Sequence, residues 1–372
     1  MRLLIPTGLF YPSKLGGPAN TLYWLAKALV QNDIDVTVVT SDNFIDEGLV
    51  KSNKWTDVDG VRVRYCTAKT KLPFRVIHHS ILEVFKADVV LFSSLCYLPN
   101  FFILLFAFIL GKKIVWSPRG ELFDSALQGN KGKLFYFRVI RLFFRKGHLF
   151  HATSEEEKQA IRKHFGDKYR VVIIPNYMEL PKKLERDNNK DKYLLFLGRI
   201  APIKAIDNLL LGVTKSEAFL NSSYKLILAG IKQGDYYLEL ESILDNNPEI
   251  KDKVEFIGSI EGREKYQLYA NAEYTILVSH SENFGNVIIE SLSQGTPVLA
   301  SYGTPWQILE TTNSGYWIDN SPESIGKFID IIINQNENEY IKQRNNAYTL
   351  AKSFDVFTNV DNWIDVLNKL SK

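Results

Sequence analysis

The residues best suited by type and spacing to do chemistry are two cations, Arg199 and Lys204, and two carboxylates, Glu282 and Glu290. The cations stand five positions apart and the carboxylates eight. The carboxylates bracket Phe284-Gly285-Asn286-Val287, a turn followed by an apolar stretch of helical character. A glycine there lets the backbone reverse sharply. The amides at the helix start, with the positive end of its dipole, form a seat for phosphate or another anion. Carboxylates beside an anion seat oppose binding unless the ligand also brings hydroxyls for them to accept, and a sugar and a ribose both do. Arg199 and Lys204 follow Phe196-Leu197-Gly198, the end of an apolar run. Cations held after a strand stabilise charge that develops on a leaving diphosphate. A plain reading stands beside this one: an ordinary strand-to-helix turn with two solvated carboxylates, and a surface Arg/Lys pair.

These residues need a rigid frame, and the rest of the chain supplies the pattern for one. Short apolar runs at 3–6, 36–40, 61–66, 89–92, 114–116, 149–152 and 171–174 alternate with helical stretches. The rhythm repeats at 194–197, 226–229, 254–257, 276–278, 298–300 and 316–318. Continuous apolar runs separated by amphipathic helices predict parallel α/β architecture. Residues 19–30 show the helical period, with Leu22, Leu25, Ala26 and Leu29 on one face. The polar stretch 181–192 reads as a linker between the halves.

At 372 residues the chain is long enough for two domains, and 45% hydrophobic with 23% charged residues is a globular composition. Cys66 and Cys96 are the two cysteines, so no disulfide framework is implied and a reducing cytoplasm is expected. Leu3-Leu4-Ile5 reads as a first strand rather than a leader. The ten apolar residues 101–110 are too few to span a bilayer and predict a buried helix on a sheet. Charge is uneven. Residues 1–180 hold 25 Lys+Arg against 16 Asp+Glu, or +9, and the remainder holds 20 against 26, or −6. The first half therefore suits an anionic partner.

In order and separation, these motifs resemble those of family 4 glycosyltransferases, whose hallmark is Glu-x7-Glu. The resemblance implies an α/β chain of GT-B fold: two facing Rossmann-like domains with a cleft between them. It places an acceptor-binding domain at 1–180, the linker at 181–192, a nucleotide-sugar domain at 193–345, and helices of 346–372 that cross back to the first domain. It also implies roles. Glu282 faces the donor sugar, and Glu290 binds the ribose. Arg199 and Lys204 match the family's Gly-Arg…Lys-Gly motif, although Ala205 stands where glycine is usual. Backbone groups of Phe284, Gly285, Asn286 and Val287 hold phosphate or sugar. Loops at Ile231 and Ile260 hold the nucleobase, largely through backbone groups.

Gly16 and Gly17, after the first strand, resemble the family's glycine-rich loop and would let amides approach a phosphate; a loop needing positive φ explains them equally. Arg119 in Ser117-Pro118-Arg119-Gly120 occupies the nearest match to a histidine found in many relatives, and a guanidinium there suits a phosphate. No Gly-x-Gly-x-x-Gly and no cysteine–histidine cluster occurs, so neither a dinucleotide cofactor nor a metal is expected. The donor nucleotide sugar is the small molecule expected.

The activity implied is retaining, metal-independent transfer of a sugar from a nucleoside diphosphate donor, UDP favoured, to an acceptor hydroxyl. A lipid-linked saccharide in surface polysaccharide or lipopolysaccharide synthesis is the expected acceptor, with no nucleic-acid partner. A sugar-nucleotide epimerase on the same fold and an inactive carbohydrate-binding protein remain open alternatives. The stretch 131–148 sets Lys131, Arg138, Arg141 and Arg145 on one helical face and Phe137, Ile140 and Phe144 on another. Its plain reading is arginines in water over a core-packed face. Its sharper reading is a helix resting on anionic lipid, which would put the protein peripherally on the inner face of the membrane.

Overall fold

Each apolar run folds as a strand. Most interior strands are buried along nearly their whole length, as in parallel sheets covered on both faces, whereas the edge strands are partly exposed. The computed structural model describes residues 1–68, 70, 72–127, 131–145, 147–187, 191–232 and 234–371. They form two units, Met1–Glu179 with Asp355–Lys372, and Leu180–Phe354. The first unit contains β1 (Arg2–Pro6), β2 (Asp35–Ser41), β3 (Trp55–Val58), β4 (Val61–Cys66), β5 (Val89–Ser93), β6 (Lys113–Ser117), β7 (Leu149–Ala152) and β8 (Arg170–Ile173). Their order across the sheet is β3-β4-β2-β1-β5-β6-β7-β8. The second unit contains β9 (Tyr193–Leu197), β10 (Lys225–Ala229), β11 (Val254–Gly258), β12 (Tyr274–Leu277), β13 (Val298–Ser301) and β14 (Gly315–Ile318), in the order β11-β10-β9-β12-β13-β14.

One pairing departs from the parallel expectation. β3 runs antiparallel to β4 through a two-residue turn at Asp59 (φ 51°) and Gly60 (φ 84°). Asp-Gly with both residues at positive φ is the hairpin turn whose twist suits its flanking strands. The strand itself, Trp55-Thr56-Asp57-Val58, is too polar to stand out as an apolar run.

Two expected boundaries also move, and one expected burial is partial. Part of the expected linker is stitched to the second unit: the Leu184 amide donates to Gln294 Oε1 (2.9 Å), and Arg186 pairs with Glu273. Residues 188–190 of that linker lie outside the described residues. The helix Glu337–Lys352 and Phe354 remain in the second unit, whereas Asp355–Lys372 joins the first. There the Val356 amide donates to the Met178 carbonyl (2.9 Å), and Trp363 packs on His151 with ring centroids 4.5 Å apart. The helix Pro99–Ile109 buries Ile103, Leu104 and Ala107 but leaves Phe106 40% and Ile109 74% exposed. It is half-buried rather than enclosed. Among the described residues no helix is long and apolar enough to cross a membrane.

In both sheets the chain winds first to one side of a strand and then to the other. The strand order reverses between β1 and β5 in the first unit and between β9 and β12 in the second. Loops that leave the carboxyl ends of two such strands diverge, and the crevice they open is where α/β sheets bind ligands.

Candidate active site

The loops leaving β9 and β12 carry Arg199, Lys204, Glu282 and Gly285, so the switch point of the second unit gathers the predicted residues. After β9 the chain passes Gly198 and exposed Arg199 into a 3-10 turn, Pro202–Lys204. The His280 amide donates to the Ile203 carbonyl (2.9 Å), tying this turn to the loop after β12. That loop is held on its other side by the Glu282 amide, which donates to the Gly303 carbonyl (2.8 Å), and by Ser301 Oγ, which donates to the Ser279 carbonyl (2.6 Å). A Cβ on Gly303 would lie 2.4 Å from the Ser279 carbonyl oxygen, so only glycine fits. Sequence reasoning missed Gly303 because the need for glycine arises from a neighbouring loop, not from its own turn.

Lys204 Nζ contacts Glu282 Oε1, an atom that also accepts from Ser279 Oγ at 2.8 Å. Both charged side chains are only 14% exposed. An ammonium has three donors, so Lys204 can orient Glu282 and still meet an anion.

Ala205, which follows, is fully buried and left-handed (φ 50°, ψ 43°) at the start of the helix Ile206–Thr214. This conformation suits glycine and costs an L-residue roughly 1–2 kcal/mol. Ala205→Gly relieves that strain but loses a buried methyl, so thermal unfolding should place it within about 1 kcal/mol of the parent. Ala205→Val adds β-branching to a left-handed, close-packed position and should cost about 2–4 kcal/mol.

Gly285 (φ 88°, ψ 63°) precedes the helix Asn286–Ser293 and leaves its start without a side-chain cap. The turn is anchored from below. Trp306 Nε1 donates to the Phe284 carbonyl (2.5 Å), and Phe284, Trp306 and Phe354 pack with centroids 5.0–6.0 Å apart. Phe284 is 5% exposed, so its ring serves the core and its contribution to a ligand site is the turn it anchors. Asn286 and Val287 are half-buried in the first turn.

Glu290 lies one helical turn deeper and is 7% exposed. Its Oε1 accepts from Lys265 Nζ (2.8 Å) and its Oε2 from the Tyr269 hydroxyl (3.1 Å). Lys265 and Tyr269 lie four apart on the helix Gly262–Asn271 and so share a face. Burial alone would depress the Lys265 ammonium, but Glu290 beside it holds it above the ordinary lysine range. Burial and Glu290 together push the Tyr269 hydroxyl well above its usual range. Ile260 packs on the cluster that contains Tyr269.

The carboxyl edge of β11-β10-β9 is built from glycines. The Gly198 amide donates to the Ala229 carbonyl (2.9 Å) and the Gly230 amide to the Gly258 carbonyl (2.7 Å). A Cβ on Gly230 would sit 1.6 Å from the Gly198 carbonyl oxygen. The result is a ledge of bare backbone, extended by the Ile200 amide donating to the carbonyl of Ile231 (2.9 Å), whose side chain is 51% exposed. Such a ledge admits a flat ring against main-chain groups. Among the described residues, no group of three or more His, Cys, Asp or Glu is arranged to hold a metal ion.

Two family models match successive parts of the chain. Glycosyl transferase 4-like domain covers residues 16–177, and Glycosyl transferases group 1 covers 179–350. Both are models of glycosyltransferases and together they cover most of the chain, which belongs to the glycosyltransferases. Its fold is GT-B, as in Anabaena HepE crystallised with UDP and glucose (TM-score 0.76, 16% identity, 99% of this chain and 100% of that one). Among curated relatives, alpha-monoglucosyldiacylglycerol synthase of Streptococcus pneumoniae is 37% identical over 36% of this chain and 33% of its own length. The O-antigen chain mannosyltransferase RfbU of Salmonella typhimurium is 26% identical over 48% of each. The chain thus spans less than half the length of these curated relatives.

The remaining predicted residues of this glycosyltransferase lie in the first unit. Gly16 and Gly17 open the helix Gly16–Val30 that follows β1. A Cβ on Gly17 would meet nothing within 4 Å, and Gly17 is not among the positive-φ glycines, so neither turn geometry nor packing demands glycine there. Tyr97, after β5, was not anticipated: its ring would lie 2.9 Å from a Cβ on Gly8, bringing the loops after β1 and β5 together at this unit's own switch point. Arg119 (φ 57°) donates from Nη1 to Asn176 Oδ1 (2.8 Å). Burial pulls its guanidinium down to about 10 against the opposing effect of Glu157. Buried Glu157 clamps this turn by accepting from the Gly120 amide (2.7 Å) and from Thr153. His151 nearby is held near 3 by burial and by Arg119. It bridges Ser117 Oγ and the Ile174 carbonyl, 2.8 Å from each, as a neutral structural group.

Proposed function

We propose that this protein is a retaining glycosyltransferase that moves a sugar from a nucleoside diphosphate sugar, UDP-linked, to an acceptor hydroxyl without a resident metal. The observation that carries the reading is the convergence of Arg199, Lys204, Glu282 and the Gly285 helix start on the switch point of the second unit. In this reading the glycine ledge and the Ile231 and Ile260 loops receive the base, and Glu290 accepts from the ribose. Arg199 and Lys204 meet the diphosphate as its negative charge develops. Glu282, oriented by Lys204 and Ser279, accepts from sugar hydroxyls. Gly16, Gly17 and Arg119 belong to the first unit, which takes the acceptor.

The test is product analysis with UDP-sugars, with and without acceptor. Acceptor-dependent release of UDP, with the anomeric configuration kept, supports the reading. Conversion of one UDP-sugar into another without acceptor would make the protein an epimerase, and no turnover or UDP-sugar binding would make it an inactive relative.

The acceptor we infer is a lipid-linked saccharide of surface polysaccharide synthesis, met at the cytoplasmic face of a membrane. The names of the streptococcal and Salmonella relatives support this class. So does the helix Lys131–Leu142, where Phe137 and Ile140 are buried and Arg138, Arg141 and nearby Arg145 face outward beside exposed Phe135 (66%) and Leu142 (75%). The side chain of Lys131 lies outside the described residues. Rings of Phe101 and Phe108 pack on Tyr136 and Phe143, so this helix adjoins Pro99–Ile109 with its exposed Phe106 and Ile109. Basic residues near an anionic surface contribute about 1 kcal/mol each, an effect lost within a Debye length as salt rises. Sedimentation should show binding to anionic but not neutral vesicles at low salt, weakened when Arg138, Arg141 and Arg145 become glutamine. Equal binding to both vesicle types would remove the lipid surface from this account.

A further inference from the structure

Glu290 is nearly enclosed, yet its carboxylate is only half used. An ionised carboxylate offers about four lone-pair sites. Lys265 takes one on Oε1 and Tyr269 one on Oε2, so one site remains on each oxygen. A buried carboxylate that keeps an acceptor site on both oxygens is built to receive two donors at once, and a vicinal diol supplies two hydroxyls at that spacing. The rotation of the carboxylate decides whether both sites face outward, and Lys265 and Tyr269 set it. Neither partner is accidental. They share one face of the helix Gly262–Asn271, and the Lys265 side chain is only 17% exposed. The Tyr269 carbonyl accepts from Thr296 Oγ1 (2.6 Å), fixing the base of that helix face to the segment after the helix Asn286–Ser293.

We infer that Lys265 is a positioning residue for ribose recognition: it holds Glu290 so that both carboxylate oxygens accept from the 2′- and 3′-hydroxyls of a nucleotide. The inference rests on the nucleotide-sugar reading above. Lys265 touches no ligand in this account and acts through Glu290. A lysine tied to a buried glutamate as simple packing would also stabilise the fold, so the decisive readout is selectivity for the ribose hydroxyls rather than stability.

The experiment compares UDP with 2′-deoxy-UDP by calorimetry on the full chain, in the parent and in Lys265→Met, Lys265→Gln and Lys265→Arg. The parent should bind UDP about tenfold more tightly than 2′-deoxy-UDP, the usual scale for a hydrogen bond to a charged acceptor. Lys265→Met should lose about tenfold in UDP affinity and clearly less for 2′-deoxy-UDP, which keeps only the 3′-hydroxyl, so that selectivity falls toward one. Lys265→Arg should restore most of it, and turnover at saturating donor should stay within about twofold of the parent throughout. Should the methionine variant not fold, the glutamine variant gives the same comparison, because it too removes the charge. Selectivity unchanged in the neutral variants would overturn the role of Lys265 while leaving the donor reading intact. A parent that binds neither nucleotide would overturn the donor reading itself, and this inference with it.

Discussion

Replacing Lys204 with alanine is expected to lower kcat at saturating donor by a factor of about 10² to 10³, the usual loss when one preorganised donor to a developing anion is removed. Lys204 sits at the end of the turn after β9, where a leaving diphosphate would gather charge, and its Nζ also contacts Glu282. The alanine variant therefore removes a cation and releases a carboxylate together. Glu282 keeps the Ser279 hydroxyl, so the stability cost should be limited to about 1–3 kcal/mol. Because the two side chains act as a unit, Lys204→Ala combined with Glu282→Gln should be little worse than the poorer single variant. Steady-state kinetics on the four proteins, with melting curves alongside, decides the matter. Turnover within twofold of the parent in Lys204→Ala would remove the diphosphate role, and fully additive losses would separate the two residues.

Gly230→Ala should be the most disruptive single methyl in the second unit. The new carbon would fall 1.6 Å from the Gly198 carbonyl oxygen, and the obstacle is backbone, which cannot rotate aside. Relief requires β9 and β10 to part at their carboxyl ends. That breaks the hydrogen bonds from the Gly198 amide to Ala229 and from the Ile200 amide to Ile231. A loss above about 4 kcal/mol is expected, a large part of the 5–15 kcal/mol typical of a folded domain. Low soluble yield or a much reduced denaturation midpoint should follow. Gly17→Ala is the matched control: its Cβ meets nothing, and alanine inside a helix start is neutral or stabilising by up to about 1 kcal/mol. Equal melting temperatures for Gly230→Ala and the parent would show that the ledge relaxes easily and need not be bare.

The amino-acid sequence by itself determined the alternation of strand and helix, because an apolar run between amphipathic helices can satisfy its faces and its backbone only within a parallel sheet. It also determined the turns that carry Arg199, Lys204, Glu282 and Gly285, since glycine and proline act locally on the backbone. The hairpin at Asp59-Gly60 was equally local and legible as a dipeptide, but the polar strand before it drew no notice. Partners distant along the chain were a different matter. Lys204 meets Glu282 across 78 positions and Lys265 meets Glu290 across 25, and neither pair follows any helical or strand period. Only the strand order, which sets β9 beside β12, brings the first pair together, and only the packing of two successive helices brings the second. The inward turn of Phe284 and the need for glycine at 230 and 303 likewise depend on what the fold places opposite them. A residue's own type shows what it is able to do, whereas its neighbour across the sheet decides what it does.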